Sequence, residues 1–386
     1  MVKLNVYFDN KEYFKFSNLS ANHTTENNIS LKEVSLNAVV SVPFKDFIVD
    51  LNTKNKMLAS VYIDDKIYIE GYINQDNLKY RDSADGGVQI DIIIKDRFIA
   101  IKKSDIIKTK PKNNGFLQNF ICNILDELDF TDPQFINKYQ KKVNKSSDLL
   151  INGLGVSQQF LKSFARNDIV QKDALSLIGE ACTLSNLLLI SNGYDTLTLE
   201  KPNSYEELIF LGVRNDKMFN ISYGEKTGDD FENCTPSKII ILNSSEDSID
   251  KDGNYKGFQD KNTSLLVNYS GGLPHIQKIR NLSVDATYQE ISKSINFNLA
   301  GIKAKSNSFL YKIPHKIFDV NGNFFIPNRS VKILDEKYGI DEVMTILQVG
   351  FTIDSSSGSE LTLNVTTKEA FDNNASIKQK RILMKK

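Results

Sequence analysis

Three histidines, His23, His275 and His315, are the residues to test first for chemistry, because imidazole serves as base, proton shuttle and metal ligand near neutral pH. None stands in an H-E-x-x-H pattern or pairs with another histidine at ligand spacing, so no zinc-hydrolase or oxygenase centre can be read from them. The three cysteines, Cys122, Cys182 and Cys234, are widely separated and odd in number. With no C-x-x-C pair to hold zinc or cycle as a disulfide, they read as reduced, buried thiols. No G-x-S-x-G elbow occurs, and Gly153-x-Gly155 lacks the strand and third glycine of a dinucleotide loop.

Other constellations are partial. Ser248-x-Asp250-x-Asp252-Gly253 sets oxygen donors at alternate positions before a turn glycine, as a calcium loop does, but the twelfth position is Gln259, which cannot supply the bidentate carboxylate. Asp229-Asp230 would suit acid–base work on a glycosidic bond only with partners brought from elsewhere in the chain. Lys141, Lys142 and Lys145 read as a solvated face rather than a phosphate site. The sequence therefore assigns no catalytic residue, no metal ligand and no cofactor.

The chain has 386 residues, enough for two to four domains at about 100–200 residues each. Lys+Arg and Asp+Glu both total 48, so no net field draws polyanions and no nucleic-acid sequence recognition is expected. The first six residues alternate polar and apolar instead of forming the continuous apolar core of a secretory signal, which implies synthesis in the cytoplasm. Apolar runs such as 239–242 and 187–190 are four residues long, against the roughly 20 that span a bilayer, so membrane insertion is not expected.

Hydrophobic spacing gives the elements. Val2, Leu4, Val6 and Phe8 alternate with polar neighbours, as do Val34, Leu36, Ala38, Val40 and Val42 up to Pro43, and as do Val88, Ile90, Ile92 and Ile94. Val61-Tyr62-Ile63 and Ile67-Tyr68-Ile69 flank Asp64-Asp65-Lys66 as a tight hairpin, with Gly71 marking a bulge or close approach. Residues 1–100 thus read as a compact β barrel or sandwich. Leu117, Phe120, Ile121, Ile124, Leu125 and Leu128 lay an apolar stripe along a helix. A second helix fits 168–185, burying Ala174, Leu175, Ile178, Ala181 and Cys182, and a hairpin follows over 187–200 around Asn192-Gly193, before Pro202. Strands are expected over 218–223, 237–242 and 265–269. A long helix over 285–303 carries Tyr288, Ile291, Ile295, Leu299 and Ile302, and strands follow over 309–313, 330–334, 343–353 and 360–366. Residues 372–386 look like a loose basic tail.

Four of these places, in this order, resemble the baseplate hub proteins of Mu-like contractile phage tails, the tail protein P family. They are Gly71-Tyr72-Ile73 with Ile90 through Asp96-Arg97; the helix and hairpin ending in Lys201-Pro202; the helix at 285–303; and Ile326-Pro327-Asn328-x-x-Val331-Lys332-Ile333 with Leu347 through Phe351 and 361–371. Phe325 stands where an aromatic Trp would be expected. The resemblance implies an α+β, β-rich fold with two barrel-like tube domains, 1–100 and 205–371, joined by a helical and hairpin region, 101–204, and followed by the tail 372–386. It also implies a structural, non-enzymatic homotrimer in the virion baseplate that joins a central spike to the tail tube or tube-initiator protein and contacts other baseplate proteins. A β-rich carbohydrate-binding or glycan-cleaving tail protein is the alternative, although such platforms favour Trp and this chain has none.

Metal analysis of the dialysed protein is expected to find no stoichiometric zinc or iron. Retained metal, or unfolding on chelation, would contradict the absence of a ligand set.

Overall fold

The computed structural model describes residues 2–26, 28–40, 44–82, 87–99, 121, 124, 134–137, 173–185, 187–200, 208–212, 221–227, 236–242, 264–268, 273–280, 304, 307–367 and 379–382. In the first hundred residues the expected alternation appears as β1 (Leu4–Phe8), β3 (Ile29–Val40), the hairpin β4 (Met57–Ile63) and β5 (Lys66–Ile73), and β7 (Val88–Lys95). Three elements of this region do not announce themselves by alternation: β2 (Asn18–Glu26), helix α1 (Phe44–Lys54) and the short strand β6 (Leu78–Asp82). Helix α1 buries Phe47 and Leu51, and the Phe47 ring stands 4.9 Å from Phe8 and 5.2 Å from both Tyr13 and Phe14. It plugs an aromatic cluster at one end of the core.

The middle of the chain contributes β8 (Gln134–Asn137), helix α2 (Ala174–Ser185) and the hairpin β9 (Leu188–Ser191) and β10 (Thr196–Glu200). Asp173 caps α2, accepting from the Ser176 amide at 2.9 Å, and residues 168–172 of the expected helix lie outside the described residues. Leu175, Ile178 and Cys182 are buried as expected, and Cys182 is a free thiol. Of the stripe at 117–128, Ile121 and Ile124 are described, helical and fully buried.

The last part holds β11 (Leu208–Gly212), β12 (Tyr223–Lys226), β13 (Pro236–Leu242), β14 (Ser264–Asn268), β15 (Leu273–Arg280), β16 (Ser308–Pro314), β17 (Ser330–Asp335), β18 (Ile340–Asp354), β19 (Gly358–Thr367) and β20 (Gln379–Ile382). The strands expected over 309–313, 330–334, 343–353 and 360–366 are all present, each slightly longer than its apolar run. Of the strand expected over 218–223, residues 218–220 lie outside the described residues, and β12 begins at its last position, Tyr223. Strand β20 corrects the reading of 372–386 as loose throughout, since Lys380 and Arg381 pair antiparallel with Leu266 and Leu265 of β14. The helix expected over 285–303, with Ile295, lies outside the described residues.

Three sheets result. One has the order β1-β4-β5, another the order β15-β13-β14-β20, and the third contains 13 strands. Through the large sheet runs an antiparallel path, β12-β16-β19-β18-β2-β3-β7-β6, that draws four strands from each end of the chain. The two sets share one topology. With β17 set aside, which pairs with β18 and β11 beside this path, and numbered by sequence within each set, β2-β3-β7-β6 and β12-β16-β19-β18 both lie in the order first, second, fourth, third.

Strand β18 joins the sets. It is 15 residues long, and its first part pairs with β17 from Ile340 to Thr345. After a bulge near Ile346, its second part pairs with β2, Val349 opposite His23 through Asp354 opposite Asn18. One buried cluster accordingly runs from Val6 and Phe8 through Ile92 to Leu363 and Val365. Among the described residues no sheet closes into a barrel, because β6 pairs only with β7 and β12 only with β16.

The small sheet lies against the large one where Gly71 of β5 meets the end of β7. A Cβ on Gly71 would stand 1.9 Å from the Lys95 carbonyl oxygen, so the glycine is a close approach rather than a bulge. The hairpin turn beside it has Asp64 and Asp65 both at positive φ, 47° and 61°, as a type I′ turn requires. Gly71→Val is expected to separate the two layers and cost about 3 kcal/mol or more. Urea denaturation would read this as a lower midpoint, or the protein would be insoluble.

Candidate functional site

The motifs singled out from the sequence converge on two buried polar joints. The first is built around Lys32 of β3, which is 4% exposed. Its ammonium donates to the Tyr68 carbonyl of β5 at 3.0 Å and to the Asn192 carbonyl of the β9–β10 turn at 2.7 Å, and it sits 4.2 Å from the Tyr68 ring centroid. Asp96, just past β7, is fully buried; its amide donates to the Lys32 carbonyl at 2.9 Å, and its carboxylate accepts from the Phe98 amide at 3.0 Å. Burial pulls the Lys32 ammonium down to about 7 against the opposing pull of Asp96, and burial pushes the Asp96 carboxyl above its usual range. The two carbonyls and the ring face hold the ammonium form in place.

The turn that feeds this joint is specified locally. Gly193 has φ +94°, and a Cβ there would lie 2.6 Å from both the Lys32 side chain and the Tyr68 carbonyl. The Asn192 side-chain oxygen accepts from the amides of Tyr194, Asp195 and Thr196 at 3.0–3.1 Å, which fixes the turn that presents its own carbonyl to Lys32. Tyr68 also packs edge-on against Phe324 and Phe351, with centroids 5.0 and 4.9 Å away. One tyrosine thereby ties the small sheet to the segment before Ile326-Pro327-Asn328 and to β18.

The second joint is that segment itself. Asn328 adopts φ +64°, and its amide donates to the Ile346 carbonyl while the Ile346 amide donates to the Arg329 carbonyl, both at 2.8 Å. This reversal aims Arg329 at Glu200, the last residue of β10, across 129 positions of sequence. The guanidinium donates to both carboxylate oxygens, at 2.5 and 2.8 Å, and Asn328 adds a third bond at 3.1 Å. Glu200 is 1% exposed, so its charge depends on that fork. Sequence reasoning marked the Ile-Pro-Asn step and the hairpin but missed both Glu200 and Arg329. Charge type and burial could not be paired without coordinates.

The other residues examined for chemistry do not assemble. His23 is buried in β2, His275 lies in β15 and His315 is an exposed turn residue at φ +58°. Asp229-Asp230, the loop 248–259, Gly153-x-Gly155, the lysines 141, 142 and 145, and Cys122 and Cys234 lie outside the described residues. Among the described residues no group of three or more His, Cys, Asp or Glu side chains could share a metal ion. A groove of about 570 Å³ over β2, β3 and β7 is lined by polar groups such as Asn18, Ser35, Asn37 and Asp91 together with apolar ones such as Leu36 and Ile353. Asp91 already accepts from Asn37. No helix of the described residues is long and apolar enough to cross a membrane.

The chain, with its open mixed sheet, shares its fold with solved prophage tail proteins. The 43 kDa tail protein of prophage MuSo2 from Shewanella oneidensis has a similar structure, with TM-score 0.67 over 96% of this chain and 100% of its own at 16% identity. A tail protein from Neisseria meningitidis MC58 is similar with TM-score 0.66 over 97% and 99% at 11% identity, and prophage tail protein gp18 from Listeria monocytogenes EGD-e with 0.51 over 95% of each chain at 12% identity. No family model and no curated protein matches the sequence.

Arg329→Met is expected to cost about 3–5 kcal/mol by stranding the Glu200 carboxylate. The double variant Glu200→Leu with Arg329→Met is expected to recover much of that loss, measured by urea denaturation at pH 7. A single variant as stable as the native chain would show that Glu200 does not rely on Arg329.

Proposed function

We propose that this chain is a baseplate hub subunit of a contractile phage-like tail, a structural homotrimer that joins a central spike to the tail tube or tube-initiator protein among the other baseplate components. It is made in the host cytoplasm and resides in the virion tail baseplate, with no catalytic, metal or cofactor site. The full-length likeness to prophage tail proteins supports a tail role. The repeated strand order carries the hub reading.

Within the chain, β18 and β2 form the junction between the two sets: the third strand of one set, by sequence, lies against the first strand of the other. Among the described residues the two ends of this eight-strand path, β6 and β12, are again a third strand and a first strand. Pairing β6 of one subunit with β12 of the next would repeat the same junction between chains and cover both ends of the path. The path has eight strands in each chain, an even number, so strand direction keeps alternating across the new seam. The edges are also staggered. Following the register from strand to strand, Tyr223 of β12 is level with Asn22, whereas Lys79 of β6 is level with Asn18. A closed ring of tilted strands needs such a stagger.

Three copies would then close by one heterologous contact used three times and present six similar strand sets. That geometry lets a three-fold object meet a six-fold tube. In this reading 1–100 and 205–371 are the two tube units, 101–204 connects them, and 372–386 follows. Lys79 and Arg81, exposed on β6, stand on the same sheet face as Glu225 of β12.

Light scattering at micromolar concentration is expected to give three times the chain mass. The variant Lys79→Glu with Arg81→Glu should leave thermal unfolding of the single chain nearly unchanged, because both side chains are exposed, and shift the species to monomer. A strictly monomeric native protein would count against the hub. A variant that stays trimeric would move the interface away from β6.

A further inference from the structure

We infer that His23 is an acid-sensitive latch on the seam between β2 and β18. The seam is the contact that fuses the two strand sets of one chain, and His23 stands at its inner end, opposite Val349 of β18 on one side and Lys32 of β3 on the other. The imidazole is fully buried, and among the described residues neither ring nitrogen has a hydrogen-bond partner of good geometry, the backbone at Ser30 being the one polar group that favours its charged form. A neutral ring is tolerated there as a mostly apolar side chain.

A charged ring is not tolerated. The ionisable groups facing His23 are Lys32 from β3 and Arg329 from the segment before β17, both cationic. Of the nearby carboxylates, Glu200 takes both arms of the Arg329 fork, and Asp96, whose charge acts on Lys32, accepts from the Phe98 amide. From β18 the neighbour is the apolar Val349. Protonation would therefore set a third positive charge in a buried site where no carboxylate of the described residues faces the ring. The relief available is for β2 to part from β18, which admits water to the ring.

The pH window follows from the direction of the shift. Burial, then Lys32, hold the folded-state imidazole well below its ordinary value of 6.5. Below about 6.5 the unfolded or opened chain takes up a proton that the closed chain refuses, so closure is fully favoured above that pH and weakens as pH falls. Asp96 acts with the opposite sign, since its raised carboxyl takes up a proton in the folded state first. That contribution is common to the native protein and to a His23 variant. Strand β12, the counterpart of β2 in the other set, is Tyr223-Gly224-Glu225-Lys226 and carries no histidine, so this latch has no equivalent on the free edge.

The experiment compares the native protein with His23→Leu by urea denaturation at fixed protein concentration from pH 7.5 to 4.5. Below about pH 6.5 the native folding equilibrium is expected to lose up to an additional tenfold per pH unit relative to the variant. Amide exchange at pH 5 is expected to quicken first at Ala21, Asn22, Val349 and Gly350, ahead of the β4–β5 hairpin. Parallel pH slopes in the two proteins, or exchange that rises uniformly, would overturn the inference. Should His23→Leu not fold, ring NMR of the native protein, assigned with His275→Gln and His315→Gln, decides it. A His23 ring that stays neutral until the seam opens supports the latch, and one that titrates near 6.5 in the closed protein refutes it.

Discussion

A strand that outruns its neighbour must find a second partner, because buried amides and carbonyls left unpaired are costly. Strand β18 is in that position. It runs 15 residues, of which β17 covers the first six and β2 the last six, Val349 to Asp354. Most of the architecture follows from this partner switch. The sheet continues from one end of the chain to the other, the two strand sets acquire a fixed relation, and Phe351 arrives over Tyr68 to couple the large sheet to the small one.

The buried joints make the relation unique rather than merely compact. Hydrophobic packing alone would tolerate small slips between layers. A guanidinium fork that meets a carboxylate which is 1% exposed tolerates none, nor does an ammonium held by two carbonyls from separate elements. The net contribution of such pairs to stability is modest, because desolvation offsets much of the attraction. Their effect here is to penalise every arrangement in which Glu200, Arg329 or Lys32 is buried without its partner.

The sequence was most legible where one face of a strand is apolar and the other polar. The alternation at Val34, Leu36, Ala38 and Val40, or at Leu361, Leu363 and Val365, corresponds residue by residue to buried positions. Strand β2 escaped because its inward residues are Leu19, Ala21 and His23, a set too weakly apolar to signal a strand. Helix α1 was missed although Phe44, Phe47, Ile48 and Leu51 have helical spacing just after Pro43, a helix-start signal hidden among strands. Strand β20 was masked by its charge: Lys380 and Arg381 suit an edge strand as well as they suit a tail. The joints were legible only in part. Gly71, Asn192-Gly193 and Ile326-Pro327-Asn328 stand out as local backbone signals, whereas the pairing of Glu200 with Arg329 is a long-range contact without local pattern.

The seam between β2 and β18 also sets a schedule. His23 must wait for Val349, more than three hundred residues downstream, and at roughly 5–20 residues per second of synthesis that delay is on the order of 15 to 60 seconds. During it β2, β3, β7 and β6 can form their local ladder while the far edge of β2 stays open. An open edge invites pairing with the wrong chain. The outward row on β2, Asn18, Ser20, Asn22 and Thr24, is short and polar, which makes that edge a poor template for aggregation until its own strand emerges.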